Sequence, residues 1–143
     1  MQIDIATHAD EELLYEAFQR LVPQLTSNNP PPTRDELAAL LRDASSTLLI
    51  ARSDSGQIIG ALNLTVYRVP TGVRSIIEDV IVDISARGQG VGEALMQSAI
   101  ELAKEKGAHN ISLTSNPLRV AANKLYLKLG FEKRDTNAYK LKL

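Results

Sequence analysis

Ile76-Ile77-Glu78-Asp79-Val80-Ile81-Val82-Asp83-Ile84, followed after one serine by Ala86-Arg87-Gly88-Gln89-Gly90-Val91-Gly92, is the stretch from which the rest of the chain is placed. Its first half is β-branched and alternates, as a strand buried on at least one face does. Beyond the glycines, Val91, Ala94, Leu95, Ser98, Ala99, Leu102 and Ala103 recur at three- and four-residue spacing, which predicts an amphipathic helix that stops near Gly107. Glycines at alternate positions leave backbone amides unobstructed, and the turn becomes a helix N-terminus. Free amides, the positive end of the helix dipole and the charge of Arg87 together favour an anion, so a phosphate or pyrophosphate is the expected guest.

Spacing narrows the ligand. A dinucleotide fingerprint needs a third glycine where Glu93 stands, and a P-loop needs a Gly-Lys-Ser/Thr ending that is missing. What fits is Arg-x-x-Gly-x-Gly, as Arg87, Gly90 and Gly92. Here the chain resembles the GCN5-related N-acetyltransferase (GNAT) superfamily, whose signature for the acyl-CoA pyrophosphate is Gln/Arg-x-x-Gly-x-Gly/Ala. The resemblance implies acetyl-CoA as acetyl donor. It would be held by Arg87, Gly88, Gln89, Gly90, Val91 and Gly92, with its pantetheine arm lying like an added strand along Val80, Ile81 and Val82.

A second pattern of that superfamily, Asn-x(6)-Asn-x-x-Tyr-x-x-x-Gly-Phe, stands here as Asn116, Asn123, Tyr126, Gly130 and Phe131. Asn123 and Tyr126 are three apart on a helix and share a face. By resemblance, Asn123 holds the coenzyme arm, Asn116 is counted with it among the coenzyme-binding residues, and Tyr126 points its hydroxyl at the thioester sulfur. Read from periodicity alone, Tyr126 is a core tyrosine beside Leu125 and Leu129, Asn116 is an N-cap, and Gly130 is a left-handed helix cap.

Acetyl transfer to an amine needs a neutral amine, a stabilised oxyanion and a protonated leaving thiolate. A lysine-like amine has a pKa near 10.4, so a base assists. Glu78 is the candidate base, a carboxylate within a largely apolar strand, where some members of the superfamily carry a glutamate. Asp79 competes, and strand alternation points it to the opposite face, so that only one of the two should line a given cleft. A backbone N–H near Val80–Val82 would hold the oxyanion, and Tyr126 would protonate the sulfur.

Outward from these motifs, Gln2–Ala6 reads as a first strand and Glu11–Leu25 as a helix that ends or bends at Pro23. Ser27–Pro32 reads as an extended connection, followed by a short helix capped by Thr33 with Glu36. Ser46–Arg52 and Gln57–Tyr67 form an expected antiparallel hairpin about Asp54-Ser55-Gly56. Val69–Val73 should break the sheet. His109–Ser115 is an expected strand, parallel to the one carrying Glu78, and Asn116-Pro117 an expected helix start. Phe131–Leu143 reads as one or two closing strands. The fold class is α/β with a mixed sheet of six or seven strands and about four helices on both faces, in one domain spanning 1–143.

Composition fits a single domain of 143 residues and 15.6 kDa. A net charge of -1, with 16 basic and 17 acidic residues interspersed, creates no field for nucleic acid or anionic membrane. Without cysteine there is no thiolate nucleophile or disulfide, and His8 and His109 are too few for a histidine metal centre, so no metal is expected. No leader or apolar span is evident, which reads as a cytoplasmic protein. Three readings follow: an enzyme acetylating an amine of a small molecule or protein in a ternary complex, a non-catalytic acyl-CoA-binding sensor, or a plain phosphate-binding module. Exposed sheet edges leave a homodimer open.

Overall fold

The computed structural model describes residues 1–143. Five strands form one sheet in the order of the chain: β1 (Gln2–Ile5), β2 (Ser46–Arg52), β3 (Ile58–Val69), β4 (Gly72–Val82) and β5 (Ile111–Ser112). All neighbours are antiparallel except β4 and β5, which are parallel and joined by the central helix α3 (Val91–Glu105), as expected of a strand–helix–strand crossover. The other helices are α1 (Glu11–Leu25), α2 (Arg34–Arg42) and α4 (Val120–Lys128).

Strand alternation sorts the core into two layers. Leu48, Ile50, Ile58 and Ala61 face α1 and α2, where they meet Leu14, Phe18, Leu21 and Leu37. Leu49, Ala51, Ile59, Leu62 and Leu64 face the other way, onto Val91, Leu95, Met96 and Ala99 of α3 and Tyr126 of α4. The period-2 pattern of the strands and the 3.6 pattern of the helices are thus both satisfied. Thr33 caps α2 through the expected box with Glu36, each side chain bonding the other's backbone N–H. Pro23 sits inside the last turns of α1 without ending it.

Four sequence expectations need correction. Val69–Val73 does not break the sheet: Val69 pairs with Gly72, so β3 and β4 form one long hairpin with only Pro70 and Thr71 between them. The strand at 109–115 shrinks to Ile111 and Ser112. Asn116 does not cap a helix, since α4 begins only at Val120 after an intervening turn. The sheet has five strands, not six or seven, because Phe131–Leu143 takes no regular structure. Tyr139 there is 90% exposed and Leu141 83%. The polar run Glu132–Asn137 separates Phe131 from the apolar end, so no continuous alternation binds the tail to the sheet.

Gly60 explains how α3 can press onto β3. A Cβ at this position would lie 3.1 Å from both Leu95 and Val91 and 3.0 Å from the Ile81 carbonyl. Gly60→Ala is therefore expected to push back the start of α3 and destabilise the fold by about 1–3 kcal/mol, read as a lowered midpoint in urea. An unchanged midpoint would show that the contact can relax.

Candidate acetyl-transfer site

The turn after β4 builds an anion cradle from backbone. Gly88 and Gly90 take φ of 77° and 80°, in the left-handed region that side chains avoid. Gly90 is the N-cap of α3, and no side chain caps that end, so the N–H groups of the first helical turn are left for a ligand. Arg87 leans back over the turn, its Nε 3.4 Å from the Val82 carbonyl. In front of this cradle lies a cavity of about 610 Å³, lined by Val80, Ile81 and Val82 of β4, by Arg87, Gly88, Gly90, Val91 and Gly92, and by residues 118–122, 125 and 126 in and before α4. Of the turn residues expected to bind, only the exposed Gln89 is not in the lining. Left-handed glycines, an uncapped helix N-terminus and one arginine suit a pyrophosphate.

The cavity exists because β4 loses its neighbour. Ser75 and Ile76 pair with β5, and the ladder then stops. At the same place β4 bulges: the step from Ala61 to Asn63 on β3 meets the step from Ile81 to Glu78 on β4, two residues against three. Asp79 absorbs the extra residue with φ of 52°, the chain's one left-handed residue that is not glycine. The bulge explains why Ile77 packs toward α3 while Ile81, four residues on, packs toward α1 and α2.

It also corrects the expectation that Glu78 and Asp79 face opposite sides. Both exposed carboxylates line a second cleft of about 240 Å³, together with Thr26 and Asn29 of the connection after α1 and Thr114 after β5. The two cavities meet. Leu25, Val80, Arg119 and Tyr126 belong to both linings.

Tyr126 is a core tyrosine, as periodicity predicts, and it also lines the cavity. Its ring is part of the core, 6% exposed and edge-on to Phe131 at 6.1 Å, while its hydroxyl finds no hydrogen-bond partner in the protein. Burial raises its pKa, and the nearby charge of Arg119 opposes that rise. Gly130, with φ of 99°, ends α4 in the expected left-handed cap: its N–H reaches the Leu127 carbonyl and that of Phe131 the Tyr126 carbonyl. Asn116 and Asn123 lie outside both linings. Asn123 Nδ2 donates to the Asn116 carbonyl at 3.0 Å, and Asn116 Oδ1 accepts from the Leu118 N–H at 2.9 Å. This pair shapes the turn that delivers Arg119 and α4.

The sequence model of the acetyltransferase (GNAT) family matches residues 12–131. The chain belongs to the GNAT family. Among its relatives, a glucosamine 6-phosphate N-acetyltransferase of Trypanosoma brucei brucei is 31% identical over 136 residues, covering 90% of each chain. A glucosamine 6-phosphate N-acetyltransferase 1 of Oryza sativa subsp. japonica is 31% identical over 129 residues, covering 82% of this chain and 74% of that one. A crystal structure of a Trypanosoma brucei acetyltransferase superposes with a TM-score of 0.78 at 28% identity, over 99% of both chains. Some relatives are longer: the chain spans 45% of the rat N-acetyltransferase 8B. No helix of this GNAT chain is long and apolar enough to cross a membrane.

Two groups of residues escaped the sequence reading. Arg119, seven residues before Tyr126, is the residue that immediately precedes α4. The other group ties α1 to the phosphate turn. Arg20 Nε donates to Asp83 Oδ2 at 2.9 Å and its Nη2 to the Ile58 carbonyl, while Asp83 Oδ1 accepts from the Ser85 N–H at 3.1 Å. Gln24 Oε1 accepts from the Ile84 N–H at 2.8 Å, and Gln24 lines the larger cavity. Burial pushes the Asp83 carboxyl up, but the Ser85 backbone N–H and the Arg20 guanidinium outweigh it, and its pKa ends below the usual range. A lowered native pKa gives stability that is present above the unfolded pKa of about 3.9 and lost as pH falls through the native value. Asp83→Asn should therefore melt below the wild type at pH 7, and the gap between the two should close on acidification below about pH 4. A gap independent of pH would show that the charge on Asp83 contributes nothing.

Proposed function

We propose that this GNAT protein transfers an acetyl group from acetyl-CoA to a primary amine by direct attack in a ternary complex. The observation that carries this reading is the junction of the two cavities, where Tyr126, with its unpartnered hydroxyl, meets the frayed edge of β4 and the cleft that holds two carboxylates. Arg87 and the first-turn amides of α3 bind the pyrophosphate. The edge at Val80–Val82, which has no neighbouring strand and whose Val80 and Val82 carbonyls bond only the side chains of Arg119 and Arg87, receives the pantetheine arm as a strand edge receives an extended peptide. Glu78, facing the smaller cleft, takes the proton of the amine directly or through water. The amine nitrogen bonds to the thioester carbon, the C–S bond breaks, and its electron pair on sulfur takes the proton of the Tyr126 hydroxyl.

The relatives support an amino sugar phosphate, glucosamine 6-phosphate, as the first acceptor to test. Thr26, Asn29 and Thr114 offer neutral hydrogen-bonding groups suited to a hydroxylated amine.

Acetyl-CoA at about a hundred times its dissociation constant should add about 2.7 kcal/mol of stability, seen as a rise in Tm matched by CoA and not by ATP or NAD. No rise at millimolar acetyl-CoA would remove the coenzyme and the enzyme reading together. Tyr126→Phe should lower turnover with little change in acetyl-CoA affinity, and an unchanged kcat would take Tyr126 out of the acid role. Because the chain has no cysteine, a thiol reagent reports released CoA without background. A domain that only bound acyl-CoA would show the rise in Tm and no release with any amine.

A further inference from the structure

Arg119 is the only charged residue among the four that the two cavities share. Its side chain is exposed and takes part in none of the chain's seven ion pairs. Its one side-chain hydrogen bond runs from Nη2 to the Val80 carbonyl at 3.3 Å, which fastens the guanidinium to the strand edge where the thioester is expected to lie. The same charge is felt at Tyr126, where it opposes the effect of burial. The other ionisable groups around the junction are Glu78 and Asp79 on the cleft side and Arg87 and Glu93 on the cavity side. An arginine is charged at every working pH, so it supplies positive charge without any proton transfer of its own.

We infer that Arg119 is a catalytic residue whose guanidinium contacts the reacting thioester and stabilises the negative charge that passes from its carbonyl oxygen to its sulfur. As the amine nitrogen bonds to the carbon, the carbonyl π pair moves onto oxygen. When that pair re-forms the carbonyl, the C–S pair leaves with sulfur, which takes the Tyr126 proton, and the proton removed from the amine restores the phenol. A cation held in place beforehand by a backbone carbonyl stabilises this charge more than it stabilises the neutral thioester, and so lowers the barrier. The inference rests on the proposed acyl-CoA reading of the site.

The decisive experiment needs no acceptor. With no protein thiol present, the thiolate of bound CoA can be titrated by its ultraviolet absorbance, and its pKa compared in wild type, Arg119→Met and Arg119→Lys. A cation at the sulfur lowers that pKa by about one unit or more relative to free CoA. Arg119→Met should return it towards the free value, while Arg119→Lys should keep most of the shift. With glucosamine 6-phosphate as probe, Arg119→Met should lower kcat by about 10- to 100-fold and leave both KM values within about threefold. An equal thiol pKa in wild type and Arg119→Met would overturn the inference. So would a loss expressed only as a higher KM for glucosamine 6-phosphate and not for glucosamine, which would make Arg119 an anchor for the acceptor's anion. Failure of CoA to bind the wild type would overturn the acyl-CoA reading itself, a result visible before any variant is made.

Discussion

The three-against-two mismatch between β4 and β3 at Asp79 is the constraint on which the rest of the site depends. One extra residue in β4 turns the strand away from β5 after a single pair of partners on each side. A parallel neighbour would otherwise have continued to satisfy the N–H and C=O groups of Val80–Val82. Left bare in a buried sheet, the groups on that edge would be costly; here they border a cavity, and the Val80 and Val82 carbonyls accept from the side chains of Arg119 and Arg87. The same kink brings Glu78 and Asp79 onto one cleft and lets Ile81 leave the α3 layer for the α1 layer. A non-glycine residue at positive φ costs of order 1 kcal/mol, and the long β3–β4 hairpin on one side with two packed core layers around it offsets that cost.

The bulge would open a gap of no use without a second constraint, the placement of α3. Gly60 allows the first turn of the helix to seat against β3, with Val91 and Leu95 within contact of its backbone. The helix N-terminus then points into the gap at the level where β4 ends. Gly90 supplies the left-handed step between turn and helix. Glu93 in that first turn faces the cavity but is paired to Lys128 of α4 at 3.0 Å, which both neutralises a carboxylate unfavourable to a bound phosphate and ties the two helices that wall the cavity.

Much of this was legible in the residues. The strand, the glycine turn and the helix after it are local features, each with its own periodicity or φ requirement, and they stand where the pattern put them. The two motifs located the turn and the helix that wall the larger cavity, and the parallel β4–β5 pair followed from the crossover. What could not be read was whatever depends on a partner far away in sequence. Alternation alone sends Glu78 and Asp79 to opposite faces, and only the register against β3 reveals the bulge. Asn116 and Pro117 carry helix-start chemistry, yet α4 waits until Val120, because Asn116 spends its side chain on the Leu118 amide and its carbonyl on Asn123. Arg20 and Asp83 are 63 residues apart, so no local pattern could join them. The tail after Gly130 has an alternating apolar end but no register to settle in, and Phe131 alone reaches the core.

The link through Arg20, Gln24 and Asp83 has a bearing on how the two halves of the site can vary. The last turns of α1 bond to the end of β4 and to the segment just before the phosphate turn. Leu25, one residue further, touches both cavities, and Thr26 and Asn29, beyond the helix, touch only the smaller cleft. Position along this short stretch therefore grades from residues beside the larger cavity to residues that line only the smaller cleft. The helix is fixed by a buried carboxylate and a guanidinium that also bonds the Ile58 carbonyl, so removing Arg20 would leave the Asp83 carboxylate without its cation at low exposure. The connection from Thr26 to Pro32 carries no such anchor, and its prolines limit the conformations it can take without a hydrogen-bonded ladder. Substitutions there can reshape the smaller cleft while the glycine turn stays where α1 and Asp83 hold it.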